Sequence, residues 1–506
     1  MKKVLHYLLF LIIMFLILTI STSAEENYYV FNNYISNLNI NASDEIGSAV
    51  FYMPIGTSLK AVDNKKHGTA CGGMYKVIYN ENGDTGYVCS SLTDIYQIDL
   101  NLKSVSDESF QAILNSFPES YRPYLIYLHS IYPNALFTPI NTNLEWSYMT
   151  ANESNTLNKS LIQISGNDRD GWKNPLSWNS ATNSYKVYEG TNWYSASESV
   201  VSLYLDPRNF LNKASVFQFE NLNFTDGIYS SSGLKNIVKD TFLDSNITDA
   251  NNNTFSYIDT IMQAGINNGI SPYHIAARIL QEQGTKGAAS MISGTVSGYE
   301  GFYNYYNIKA SSGDNKYLQY AVNNGWNNRY TAVVGGAKFL KDKFINVCSG
   351  LTCQNTLYAQ KWDYVGESYT SHQYMQNIQA PSSEAIMMYK AYKVDENFYN
   401  KNYVFNIPVY NNMPNEIVKT PSIEQTEVIV DKTVATPVAV EVIKYGDVNK
   451  DNSIDTLDLL AVKKHLLNLD VLVDRNLKAA DVNKDGNVDT LDLLMIKKHL
   501  LGIESL

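Results

Sequence analysis

At 506 residues and 44% apolar composition, the chain is too long for one core and apolar enough for several; length alone predicts roughly three to four domains. A formal net charge of −11 excludes the basic footprint that nucleic acid demands, and it argues against adhesion to anionic polymers through bulk charge. The 38 tyrosines offer rings with polar tips suited to stacking on sugars, or else reflect a Tyr- and Asn-rich coding bias.

In chain order, Lys2 and Lys3 precede an apolar run over 4–20, and Thr22-Ser23-Ala24 stands before Glu25 and Glu26. This layout predicts a secretory signal over 1–24, with membrane contact only during export and a secreted or wall-associated product. The alternative is an uncleaved anchor, because the run approaches spanning length. Residues 30–98 alternate apolar positions between Gly and Asn-Gly turns, which predicts short strands closing into a small β-barrel. Residues 99–234 show helical spacing over 114–128, interrupted by Pro118 and Pro123, and scatter Trp146, Trp172, Trp178 and Trp193. Helices are predicted over 255–264, 271–281 and 332–345, inside a region 235–395. Residues 406–444, punctuated by Pro408, Pro414, Pro421 and Pro437, read as a semi-stiff linker. The four cysteines cluster as Cys71 with Cys89 and Cys348 with Cys353, in keeping with export, although free thiols fit as well.

Residues 445–506 contain a repeat with a period of 34 residues. Calcium takes its oxygens from positions 1, 3, 5, 7, 9 and 12 of a twelve-residue loop. In the first copy these are Asp447, Asn449, Asp451, the Ser453 carbonyl, Asp455 and Asp458. In the second they are Asp481, Asn483, Asp485, the Asn487 carbonyl, Asp489 and Asp492. Gly486 takes the sharp-turn position and Asn452 replaces it in the first loop. Two structural Ca2+ ions are expected, each loop being followed by one apolar helix-spaced segment with no entering helix.

This half-hand design, duplicated, resembles the type I dockerin family. The resemblance implies docking to a cohesin on another protein. Recognition would run through Thr456, Leu457, Lys463 and Lys464, or through the symmetric Thr490, Leu491, Lys497 and Lys498; for the lysines, a solvated helix face is the plainer reading.

Ser271-Pro272 is a strong helix start and Gly284 a stop, so Glu282 falls in the last turn of a largely apolar helix. The negative end of the helix dipole and partial burial both raise a carboxyl pKa there, which suits a general acid. Arg278, one turn earlier, would oppose this by pairing with Glu282, and from helix physics alone that exposed pair is the plainer reading. The run Ala276-Ala277-Arg278-Ile279-Leu280-Gln281-Glu282-Gln283-Gly284 is similar to the catalytic helix of the bacterial glucosaminidase family of autolysins. Further matching segments follow in order: Tyr305-Tyr306-Asn307-Ile308-Lys309, with Asn307 where the family has Gly; Gly335-Gly336-Ala337; Thr356-Leu357-Tyr358 with Trp362; and His372-Gln373-Tyr374-Met375. Phe117-Pro118, Trp146, Trp193-Tyr194 and Asp206-Pro207-Arg208 resemble the N-terminal half of clostridial-type versions. The 30–98 segment, opening on Leu38-Asn39 and closing on Gly86-Tyr87-Val88, resembles bacterial Src-homology-3-like domains, with Met74-Tyr75 where a Trp is common.

The resemblance implies a multidomain α+β protein: a barrel, an α-rich lysozyme-like catalytic domain preceded by an extension, a linker and a dockerin. It implies an endo-β-N-acetylglucosaminidase that cuts β-1,4 bonds after N-acetylglucosamine in peptidoglycan without a catalytic metal. Glu282 would be the proton donor and Glu300 the second carboxylate, with Asp314 behind it, or the substrate's own N-acetyl oxygen would assist. Tyr306, Gln373 and Tyr374 would face the substrate. A foreign or host N-acetylglucosamine glycan, a lytic transglycosylase and a non-enzymatic wall-binding adaptor are the rival readings.

Overall fold

The computed structural model describes residues 27–166, 169–248, 254–309, 316–349, 352–365, 370–424, 444–451, 453–467, 469–472 and 474–503. The signal-like segment 1–24, Asp314, Asn452 and most of the expected linker lie outside these residues. The chain divides into two compact units, 1–434 and 435–506.

The first unit opens with seven antiparallel strands: β1 (Tyr28–Asn32), β2 (Leu38–Asn41), β3 (Ala49–Met53), β4 (Ser58–His67), β5 (Met74–Ile78), β6 (Thr85–Cys89) and β7 (Thr93–Gln97). Period-two alternation turns Val30, Leu38, Ile40, Phe51, Met53, Val77 and Val88 into a small core of their own. The hydrogen-bonded order is β3-β2-β6-β5-β4-β1-β7, so among the described residues the sheet ends on β3 and β7 and does not close as the expected barrel. Its other face is committed: Phe31, Ile55, Tyr96 and Ile98 join the core of the helical body. The Gly56 carbonyl accepts Asn212 Nδ2 at 2.9 Å and Ser215 Oγ at 2.7 Å. At that contact Gly56 has φ +73°, and an added Cβ would come within 2.8 Å of Ser215 Oγ.

Residues 99–234 share one hydrophobic core with 235–410, running from Phe110 to Tyr410, so no packing boundary falls at 234. The break at Phe117-Pro118 yields helices Glu108–Asn115 and Arg122–Ile131, with Pro123 in the first turn of the second. Both cysteine pairs are bonded, Cys71–Cys89 and Cys348–Cys353.

The expected start of the linker at 406 is corrected. Strand Val404–Asn411 pairs in parallel with Leu136–Glu145, Phe405 opposite Phe137 and Pro408 opposite Ile140. Proline is tolerated here because among the described residues the ribbon has two strands, and its other edge is bridged only near its start, where Phe405 faces Glu220 and Asn221 N–H donates to the Val404 carbonyl. The chain then stays fastened to the body. Arg208 donates to the Asn415 and Glu416 carbonyls at 3.0 Å each, and Val418 N–H donates to Asp206 at 3.0 Å. Trp172 Nε1 donates to the Pro421 carbonyl at 3.3 Å, and Gly171 N–H to the Ile423 carbonyl at 2.9 Å.

The helices that frame the site are α1 (Tyr257–Asn268), α2 (Pro272–Gln283), α3 (Arg329–Leu340), α4 (Leu357–Trp362) and α5 (Ala380–Tyr392). Ser256 caps α1 and Gly269, left-handed at φ +64°, ends it. Asn328 and Thr331 form a reciprocal capping box on α3. The helix expected over 332–345 is α3 followed by a π-type turn, Lys341–Ile345.

In the second unit, α6 (Thr456–Leu466), α7 (Asp474–Ala480) and α8 (Thr490–Leu500) enclose Val448, Val462, Ala480, Val482 and Ile496. The second loop therefore does have an entering helix, α7, contrary to the one-helix-per-loop expectation; its apolar Ala479 and Ala480 are buried. No helix among the described residues is long and apolar enough to cross a membrane.

Candidate active site

Helix α2 begins where Ser271 Oγ accepts the His274 N–H at 3.2 Å with Pro272 in the first turn, and it stops at Gly284, φ +67°. Every residue from Pro272 to Leu280 is buried, an all-round burial that few twelve-residue helices show. Glu282 is half-buried, and both its neighbours are pinned. Gln281 Nε2 donates to Ser383 Oγ on α5 at 2.8 Å, and Gln283 Nε2 donates to the Tyr305 carbonyl at 2.9 Å. The carboxyl is thereby fixed between the 304–308 loop and the segment around Tyr374.

Burial pushes the Glu282 pKa up, and the charge of Glu384 adds to this. Arg278, the Asn307 amide and the Tyr374 hydroxyl pull the other way without winning. Arg278 does not form the exposed i,i+4 pair with Glu282 that helix spacing suggests. It is 1% exposed, its Nη1 lies 3.0 Å from Glu384 Oε1, and its Nη2 donates to Gln360 Oε1 at 3.2 Å. Its guanidinium sits 4.1 Å from the Tyr374 ring centroid.

The structure gathers some of the sequence-derived residues and disperses others. Tyr374 is half-buried beside Glu282; its hydroxyl donates to the Tyr306 carbonyl at 3.4 Å and its N–H to the Gln360 carbonyl at 2.9 Å. Tyr306, expected to face the substrate, is instead a core residue. It is 1% exposed, its hydroxyl donates to the Val333 carbonyl at 2.8 Å, and a Cβ on Gly336 would come within 2.0 Å of its ring. Glycine in α3 lets that helix close down on the ring. Gln373 donates from Nε2 to Glu153 Oε1 at 2.6 Å; Glu153 is buried and also holds Ser160 Oγ at 2.7 Å and Lys361 at 3.3 Å. Gln373 thus braces the segment that carries Tyr374. Glu300 is exposed, and its carboxylate accepts the Gly298 N–H at 3.1 and 3.2 Å. It is not among the groups acting most strongly on Glu282, which are Arg278, Asn307, Glu384 and Tyr374.

Two residues escaped the sequence reading. Glu384 is wholly buried between Arg278 and His274, whose Nδ1 lies 3.6 Å from Glu384 Oε2. Asn304, also fully buried, donates to the Ile308 carbonyl at 2.9 Å and the Tyr317 carbonyl at 3.0 Å, and accepts the N–H groups of Tyr306 and Ile308. It fixes the loop that presents Asn307 in the left-handed region, φ +55°. The cue for both was a polar residue inside an apolar stretch, which is expensive unless partnered. A separate cavity of about 250 Å³, lined by Tyr29, Tyr79, Tyr96 and Tyr124, lies where the sheet meets the body and includes none of these site residues.

In the second unit the two loops share several hydrogen bonds at matching positions. Asp451 N–H donates to Asp447 Oδ1, and Asp485 N–H to Asp481 Oδ1, at 3.1 Å in both. Asp458 Oδ1 accepts Val448 and Asn449 N–H at 2.7 and 3.0 Å, and Asp492 Oδ1 accepts Asn483 N–H at 3.2 Å. Both carboxylates are fully buried and also cap α6 and α8. Backbone N–H groups of Ser453 and Asn487 hold Asp451 and Asp485 below the ordinary carboxylate range. Gly486, φ +90°, has open space where a Cβ would stand. Among the described residues, no three His, Cys, Asp or Glu side chains gather closely enough to form a metal cluster as they stand. The donor set, all oxygen and rich in carboxylates, nonetheless fits a hard cation of calcium's size.

Residues 445–501 match the family model of the Dockerin type I domain. Over 221 residues, 43% of this chain, the sequence is 27% identical to the Beta-N-acetylglucosaminidase of Bacillus subtilis (strain 168). The match spans 23% of that relative's length. Among solved structures, S. aureus glucosaminidase B is 20% identical, over 55% of this chain and 94% of that one, with a TM-score of 0.36. A catalytic mutant of S. aureus Autolysin E in complex with the disaccharide NAG-NAM is 16% identical, over 50% of this chain and 94% of that one, with a TM-score of 0.35.

Proposed function

We propose that the protein is an exported endo-β-N-acetylglucosaminidase that hydrolyses β-1,4 bonds after N-acetylglucosamine in peptidoglycan, and that its C-terminal unit docks it to a cohesin-bearing partner. The observation that carries the reading is the setting of Glu282: a half-buried carboxyl at a helix end, braced on both sides, its pKa raised by burial, with the competing Arg278 engaged elsewhere. The sequence similarity to a Beta-N-acetylglucosaminidase supports the substrate class.

In this reading Glu282, whose pKa burial raises, gives its proton to the leaving glycosidic oxygen as the bond breaks. Tyr374 and Asn307 favour the charged form of the carboxyl, the state left once the proton has departed. Glu384 is sealed against Arg278, and Glu300 is turned onto its own loop. The second role therefore falls to the N-acetyl oxygen of the substrate, which attacks the anomeric carbon before water opens the intermediate. In the docking unit, Asp447, Asn449, Asp451, the Ser453 carbonyl, Asp455 and Asp458, with Asp481, Asn483, Asp485, the Asn487 carbonyl, Asp489 and Asp492, would hold two calcium ions. When bound, the ions supply charge neutralisation that locks each loop onto its following helix. The exposed Lys463, Lys464 and Lys497, with Thr456 and Thr490 at the helix starts, would face the partner.

Mass spectrometry of muropeptides released by the wild type and by Glu282→Gln tests the assignment. New N-acetylglucosamine reducing ends that vanish in the variant are expected. Anhydro-sugar ends would make it a lytic transglycosylase, and a variant as active as the wild type would remove Glu282 from the reaction.

A further inference from the structure

We infer that Glu384 is a positioning residue: it holds Arg278 away from Glu282, so that the carboxyl ending α2 stands without a neighbouring cation paired to it. The inference rests on Glu282 being the general acid of the proposed reaction.

Arg278 and Glu282 are four residues apart on one helix, the spacing at which opposite charges meet and pair. Left to local preference, the guanidinium would lie on the carboxylate, fix it in the ionised form and remove the proton that glycoside cleavage needs. Here the guanidinium is diverted. One nitrogen lies 3.0 Å from Glu384 Oε1, another donates to Gln360 Oε1 at 3.2 Å, and its central carbon lies 4.1 Å from the Tyr374 ring centroid. Arg278 is 1% exposed and Glu384 wholly buried, so neither charge has water as an alternative partner. Taking away one member of such a pair leaves the other uncompensated, and it turns to the nearest opposite charge. For Arg278 that charge is Glu282.

The groups facing this centre come from every element around it. His274 and Arg278 come from α2, Glu384 from α5, Tyr374 from the segment after α4, and Tyr306 from the loop before α3; Gln360 and Asn307 are uncharged. His274 is fully buried and burial pushes its pKa down, so Arg278 is the cation able to neutralise Glu282. Tyr374 links the two ends of the arrangement, its ring on Arg278 and its hydroxyl within reach of Glu282. Moving the arginine would therefore disturb the charge and the orientation of the acid together.

The test compares the full-length wild type, E384Q and R278Q/E384Q. Wall digestion is followed from pH 4 to pH 9, and the Glu282 carboxyl carbon is titrated by NMR in carbon-13 glutamate-labelled protein, assigned by difference with Glu282→Gln. In E384Q the alkaline limb of the rate profile and the NMR midpoint should both move down by about one to three pH units. At neutral pH that amounts to a loss of about tenfold or more. Removing the arginine as well should return both to the wild-type position or above it, a rescue that a scaffolding role would not produce. A limb and midpoint unmoved in E384Q, with activity merely lowered, overturns the inference. So does a double variant that stays as low as the single one. Should E384Q not fold, the double variant, which deletes both buried charges, is judged alone: a midpoint below the wild type's overturns the inference and one at or above it supports it. The NMR titration needs no turnover, so a wild type that fails to cut the wall would sink the proposed reaction while leaving this inference to be decided on the midpoint.

Discussion

Glu282 and Asp485 are both acidic side chains beside a left-handed glycine, yet their surroundings drive them in opposite directions. In the first unit, desolvation raises Glu282, Asp363 and Glu220, the last to about 8. In the second, backbone N–H groups on an exposed loop lower Asp451 and Asp485. Burial in the body thus favours the proton on these three carboxyls, and N–H donors in the tail favour the charge on these two, the directions that proton transfer and cation binding respectively call for. Residue type decides neither outcome. What decides is whether the chain offers the oxygen an apolar wall or a row of N–H donors.

The largest expected effect breaks the first half of that contrast. Glu282→Gln should lower the rate of wall hydrolysis about 10³-fold with the melting temperature unchanged, measured by reducing-end release and calorimetry. Next, two calcium ions, each at 100 times its dissociation constant, should stabilise the 444–503 unit by about 5 kcal/mol and leave the body untouched. Asp485→Ala should weaken that gain, and hydrogen exchange of the two units with and without chelator measures both. A body that loosens on chelation would end the separation of roles.

Glu220 isolates burial from catalysis, because it is 3% exposed and bonded to the Tyr392 hydroxyl, away from the Glu282 set. A folded pKa raised to about 8 means the native state binds this proton more tightly than the unfolded chain. Its contribution is complete below about pH 4.5 and is lost as pH climbs through about 8, at a cost of roughly 5 kcal/mol for a shift of that size. Urea unfolding at pH 5 and pH 8.5 should show that fall in the wild type, and Glu220→Gln should flatten it. The smallest effect is expected of Asn307→Gly. It suits the backbone at φ +55°, removes an amide that favours the charged carboxyl, and should move the alkaline limb up by about half a pH unit.

Local signals in the sequence carried a good part of this. Ser271, Pro272 and Gly284 delimit α2 almost to the residue, since caps act within one turn. The 34-residue repeat announces the second unit because its ligands recur along the chain rather than across space. The misses are long-range. Glu384 meets Arg278 across more than a hundred residues, and Glu153 meets Gln373 across 220. Tyr306 has the composition of a cleft residue and the position of a core one, a distinction set by Gly336 on another helix. Residues 404–411 carry the proline of a linker and the alternation of a strand, and only the partner strand Leu136–Glu145 decides between them.

That pairing has a mechanical side. If the tail is moored, any tug along the chain reaches the body first at Ile423 and Pro421, each held by one hydrogen bond, then at the Arg208 clasp on residues 415–416. Only after these yield does it load the Val404–Asn411 ladder. Among the described residues helix α2 makes no hydrogen bond to 404–424, so a pull taken up there does not pass directly into it.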